Sequence, residues 1–146
     1  MAPATYPPLT SIQCSYSGDL RCQAVHGPSG SELSTDAPTD NQGRGERFSP
    51  TDLVATALAS CILTVMGIVA ERKGWPLAGA TARVEKRMSS EGPRRIAALE
   101  VWISLPADLL NRLNGQELAL LRQAADTCPV KQSLGDSVAI TLHWSA

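Results

Sequence analysis

None of the four cysteines in this 146-residue chain belongs to a C-x-x-C pair. The sequence thus lacks both the dithiol motif of one helical turn and the close pairing that zinc sites favour, although four cysteines and two histidines are present. It also lacks a basic excess, since 13 Lys and Arg stand against 14 Asp and Glu for a net charge of −1. Such a balance offers nothing with which to hold nucleic acid phosphates or an anionic membrane surface. The local cluster Arg83, Lys86, Arg87, Arg94 and Arg95 reads as the solvated face of a hairpin. The opening residues, Met1 to Pro8, have neither the basic nor the apolar region of a secretion signal, so a cytoplasmic location is expected. A reducing compartment does not sustain a disulfide framework, and any disulfide there is transient and catalytic. The polar stretch Thr35 to Glu46 lacks the lysine and spacing of a phosphate-binding loop, and its acidic residues do not follow the calcium-loop pattern.

Against these absences stands one long uncharged run, the 18 residues from Leu53 to Ala70. The length meets the threshold for a membrane span. The run nevertheless contains four alanines, two threonines, a serine and a glycine, and no aromatic belt flanks it at Asp52. It is read as a buried core helix. Ser49 is its expected N-cap, Pro50 its first helical residue, and Asp52 follows the cap by three; Gly74 stops it after about Lys73. With small or apolar residues on every side, the helix should be enclosed all round, which a monomer of this size does not readily arrange. A dimer is implied.

Around that helix the sequence predicts an α+β domain spanning residues 1–146, the first ten an extended arm. A hairpin runs Ile12 to Tyr16 and Leu20 to His26, turned at Ser17-Gly18-Asp19. A three-residue loop would set Cys14 directly opposite Cys22, and a two-residue loop would put them on opposite faces. In either register they read as small strand residues. A short strand at Glu32 to Ser34 leads into the polar loop. After the helix come strands Ala80 to Met88 and Arg95 to Leu105, the second alternating Leu99, Val101 and Ile103 with polar or large residues. A helical region, Asp108 to Ala125, is broken at Asn114-Gly115 and carries Leu118, Leu121 and Ala125 on one stripe. A short helix starts at Cys128-Pro129, and a strand from Ser137 to Trp144 closes the chain.

Cys61 lies midway along the long helix and Cys128 caps the short one. Peroxide reduction needs a thiolate that attacks the O–O bond, and then a second thiol that condenses with the resulting sulfenic acid. Capping Cys128 would face free helix N–H groups, whose partial positive charge favours a thiolate. A cysteine on an apolar helix is more commonly packing, and Cys61 alone would be read that way.

The run Ser49-Pro50-Thr51-Asp52-Leu53-Val54-Ala55-Thr56-Ala57-Leu58-Ala59-Ser60-Cys61, together with the later Cys128-Pro129-Val130, resembles the OsmC/Ohr family of thiol-dependent peroxidases. The likeness extends from about Tyr16 to the C-terminus. It implies an intertwined α+β homodimer, with antiparallel sheets wrapped around long central helices and active sites at the interface. It also implies reduction of organic hydroperoxides, and of hydrogen peroxide less well, with no metal or bound cofactor. Cys61 would be the peroxidatic residue and Cys128 the resolving one, with the intramolecular disulfide reduced by a dithiol, lipoyl groups serving in the Ohr branch.

The family's activating arginine comes from an N-terminal strand, a place that Arg21 fits; Arg44 and Arg47 in the later loop are rivals. The family glutamate after the helix-starting proline is replaced here by Thr51. Glu46 and Asp52 are the remaining carboxylate candidates. Nine helical residues rotate by about 900°, which places Asp52 on the side of the helix opposite Cys61 and leaves capping as its other role. His26, at the end of the Arg21 strand, reads as a pocket residue or a surface cap, and His143 as structural. Two other readings stay open: a redox-sensing or small-molecule-binding protein that does not turn over, and a purely structural protein with unreactive thiols.

Overall fold

The structure, a computed structural model, describes residues 8–145. Most of the expected N-terminal arm, residues 1–7, lies outside them. The chain forms two compact units that meet in sequence at Thr51 and Asp52.

The first unit is a three-stranded antiparallel sheet of β1 (Ile12–Gly18), β2 (Arg21–His26) and β3 (Glu32–Asp36), in that order. The hairpin register follows neither expected alternative. Cys14 faces Ala24 and Tyr16 faces Cys22, with the shift absorbed between Tyr16 and Gly18. The extra residue on β1 keeps both cysteines on one face but two positions apart, a diagonal relation of about 7–8 Å that no disulfide spans. Strand β3 runs two residues beyond the expected strand, so Asp36 faces Arg21 directly. The segment that follows doubles back tightly, with Gly43 N–H and Gly45 N–H donating to the carbonyls of Pro38 and Ala37. A side chain at Gly43 would overlap the Ala37 backbone.

In the second unit α1 spans Pro50–Lys73, the span expected from its start and stop signals. Gly74, at φ +70°, ends it, and Trp75 N–H returns to the Ala70 carbonyl at 2.8 Å, the left-handed glycine termination. The helix is long and apolar enough to cross a membrane. It nonetheless buries Ala55, Leu58, Ile62 and Met66 in one cluster with Leu99, Val101 and Ile103 of the sheet, and Ala59 and Ala70 are buried as well. The expected enclosure on all sides is not met within one chain, where Thr56, Ser60, Thr64 and Ile68 are exposed.

That sheet contains β4 (Thr81–Met88), β5 (Ile96–Ser104) and β6 (Ala139–Trp144) in chain order. Strands β4 and β5 are antiparallel, but β6 pairs parallel with β5, so the sheet is mixed and not wholly antiparallel as expected. A parallel neighbour requires a crossover, and α2 (Ala107–Arg112), α3 (Gly115–Asp126) and α4 (Pro129–Leu134) supply it. The Asn114-Gly115 break proves to be a helix start. Asn114 accepts from Glu117 N–H while the Glu117 carboxylate accepts from Asn114 N–H, a capping box.

Candidate active site

Helical geometry sets the exposure of the first thiol. At 100° per residue, Cys61 falls between buried Leu58 and Ile62 on one side and exposed Ser60 and Thr64 on the other, and its side chain is half-buried. The second thiol comes from the helical crossover. Cys128 follows Leu121 and Ala125 at helical spacing, and all three are fully buried at 0% exposure. Pro129 opens α4 behind it. Folding thus joins two positions far apart in sequence: Cys61 packs against the buried cluster that contains Cys128.

Cys128 caps α4 as expected, its Sγ accepting from Lys131 N–H at 3.4 Å. The electrostatic outcome differs from the expected thiolate. Burial pushes the Cys128 thiol up, outweighing the Lys131 and Val130 N–H groups that draw it down, and the adjacent Cys61 sulfur adds to the rise. Desolvation defeats the cap because a six-residue helix end offers few dipoles to an anion sealed in hydrocarbon. Burial therefore favours the protonated form of Cys128.

The first unit holds the expected cation. Arg21 is bound in fork geometry by Asp36, Nε to Oδ1 at 2.7 Å and Nη2 to Oδ2 at 2.8 Å. Asp36 is fully buried, and its carboxylate also accepts the backbone N–H groups of Glu46, at 3.2 Å, and Arg47. The hydrogen bonds from Arg21 draw the Asp36 carboxyl down to about 2 in spite of burial. Asp36 in turn raises Arg21 above its ordinary value. Glu46 approaches the same guanidinium at 3.5 Å from an exposed position.

Asp36 is the site residue that sequence reasoning missed, because the polar stretch containing it reads as loop. Of the named alternatives, Asp52 is paired with Lys86 at 2.8 Å, and Arg44 with Asp19 at 2.7 Å in the hairpin turn. Thr51 shares a hydroxyl contact with Ser49 at 3.2 Å. His26 Nδ1 is 2.6 Å from Ser29 Oγ and organises the β2–β3 turn. His143 stacks on Trp102, with ring centroids 4.8 Å apart. Among the described residues no three His, Cys, Asp or Glu side chains gather as metal ligands would.

A half-buried thiol packed near a fully buried one, on a helix laid against a mixed sheet, is the setting in which the class is met: the chain belongs to the OsmC-like protein family, whose model matches residues 43–143. Among solved structures, it is similar to one from Psychrobacter arcticus, provisionally described as an osmotic stress induced and detoxification response protein. The two are 39% identical with a TM-score of 0.86, over 97% of this chain and 100% of that one. It shares its fold with an organic hydroperoxide resistance protein OsmC from Legionella pneumophila, at 17% identity, TM-score 0.74 and coverage of 97% and 100%. The same holds for an organic hydroperoxide resistance protein from Elizabethkingia anophelis, at 15% identity, TM-score 0.72 and coverage of 96% and 99%. No curated protein matches the chain.

Proposed function

We propose that this chain is a thiol-dependent peroxidase acting on organic hydroperoxides, and less well on hydrogen peroxide. The observation that carries the reading is the packing of a half-buried Cys61 against the cluster that holds the fully buried Cys128. The Cys61 thiolate attacks the terminal peroxide oxygen, the O–O bond breaks, and the alcohol leaves with a proton, giving Cys61 sulfenic acid. Cys128 then displaces hydroxide from that sulfur. Its own proton completes the water released, and a Cys61–Cys128 disulfide remains. A dithiol, of which a lipoyl group is one form, returns both thiols. By the family likeness Arg21 is the cation that favours the thiolate and polarises the peroxide, held by Asp36 and Glu46 where relatives use the helix glutamate. The same likeness supports a homodimer, and we place the reaction in the reducing cytoplasm. No bound cofactor enters these steps.

Turnover of cumene or tert-butyl hydroperoxide with a dithiol, followed by coupled assay, tests the reading. Consumption no faster than background, or undiminished after Cys61→Ser, would overturn it. One observation favours a second reading, a redox sensor: the uncharged Thr51 stands where the family carboxylate belongs. A sensor would form the disulfide stoichiometrically yet turn over poorly with any dithiol, which intact-mass measurement alongside the coupled assay distinguishes.

A further inference from the structure

We propose that the reductant attacks the Cys61 sulfur of the oxidised pair, so that it is carried transiently as a mixed disulfide on α1 while Cys128 departs. This rests on reading the two cysteines as a redox pair and adds the direction in which that pair is reopened.

Thiol–disulfide exchange proceeds by attack on one sulfur along the line of the bond, with the other sulfur leaving. Access to the two sulfurs is unequal. Cys128 is 0% exposed, one of the cluster that includes Leu121, Ala125 and Leu109. A nucleophile reaching its sulfur would have to pass through that core, whose close packing admits no thiol. Cys61 sits at the boundary of the buried face of α1, beside the small exposed side chains of Ser60 and Thr64.

The departing sulfur is also provided for. Lys131 N–H, 3.4 Å from Cys128 Sγ, already points at the atom that receives the electron pair. Once Cys61 is tied into a mixed disulfide it carries no charge, and its contribution to keeping Cys128 protonated disappears.

In the first step a reductant thiolate bonds to Cys61 Sγ, the Cys61–Cys128 bond breaks, and Cys128 leaves with the pair and takes up a proton. In the second, the reductant's other thiol attacks the reductant sulfur of the mixed disulfide and expels Cys61 as thiolate. The reductant becomes a cyclic disulfide, having given up two electrons and two protons. A monothiol cannot take the second step unaided. Its adduct stays beside Cys128, which attacks Cys61 and expels it again.

The test uses the wild-type protein oxidised with diamide, so that no peroxide chemistry is required. The disulfide form is mixed briefly with 2-mercaptoethanol, quenched in denaturing acid, alkylated with N-ethylmaleimide and mapped by peptide mass spectrometry. The mercaptoethanol adduct is expected on Cys61 with maleimide on Cys128, exceeding the reverse pattern by at least about tenfold, as an access-controlled exchange requires. An adduct chiefly on Cys128, or an even division, overturns the direction while leaving the redox pair intact. Failure of diamide to link Cys61 to Cys128 at all overturns both.

Discussion

The molecule contains two pairs of cysteines, and the contrast between them separates nearness in sequence from nearness in the fold. Cys14 and Cys22 are eight positions apart, on adjoining strands and on one face, with Cys14 exposed. Cys61 and Cys128 are far apart in sequence and come from different helices, yet Cys61 packs against the cluster that contains Cys128. The hairpin pair is separated by its register, because a bulge between Tyr16 and Gly18 moves Cys14 opposite Ala24. The helical pair is joined by packing, and its members differ in burial. Nearness in sequence contributes little. On the proposed reading, packing with unequal access leaves one sulfur to meet the oxidant and the other buried behind it.

The largest expected effect is Cys61→Ser, which should reduce hydroperoxide consumption to background in the coupled assay. Retained turnover would shift the chemistry to the hairpin pair and break the comparison. Next comes Asp36→Asn, which frees Arg21 from its fork. Misplacing a positioned group by about 1 Å can cost about 10²-fold, and a fall of that order in the rate of sulfenic acid formation is expected. The hairpin unit would then be seen to contribute a cation and no thiol. Asp36→Glu should recover part of the loss.

Cys128→Ser should leave a single rapid turnover and a lasting Cys61 sulfenic acid, which dimedone traps. It puts a hydroxyl into a fully buried position, at an expected cost of about 1–3 kcal/mol in urea unfolding. An acid titration follows in size. Because the folded Asp36 value lies near 2, below the unfolded value of about 3.9, the stability from its pairing is complete above that unfolded value. It is lost as pH falls from about 4 through 2, and the amide NMR signals of β2 and β3 should weaken over that window in wild type more steeply than in Asp36→Asn. The smallest effect belongs to Cys14→Ser. At an exposed strand position it should change stability by no more than about 0.5 kcal/mol and leave turnover unaltered.

Local signals carried much of this structure. Ser49, Pro50 and Gly74 define α1 because caps and terminators act within a turn, and the alternation of β5 names Leu99, Val101 and Ile103 as core. What depends on pairing was hidden. Asp36 reads as one more polar residue until the β2–β3 register sets it opposite Arg21. The hairpin register itself turned on one extra residue. The parallel entry of β6 depends on where three helices return the chain, which strand alternation does not encode. Burial of Cys128 was legible in principle, since Leu118, Leu121, Ala125 and Cys128 continue one helical stripe, but the following proline drew attention to the cap. The resemblance supplied the pairing of Cys61 with Cys128. Desolvation, which no motif displays, works against the thiolate that the helix cap would favour on the latter.

Gly43 gives the loop ahead of α1 a fastening with no spare room. Even a methyl group there would press on the Ala37 carbonyl, one residue from the carboxylate that grips Arg21. The guanidinium is thus aimed from a distance by the smallest residue in the chain, and Gly43→Ala should slacken Arg21 without altering a single charge.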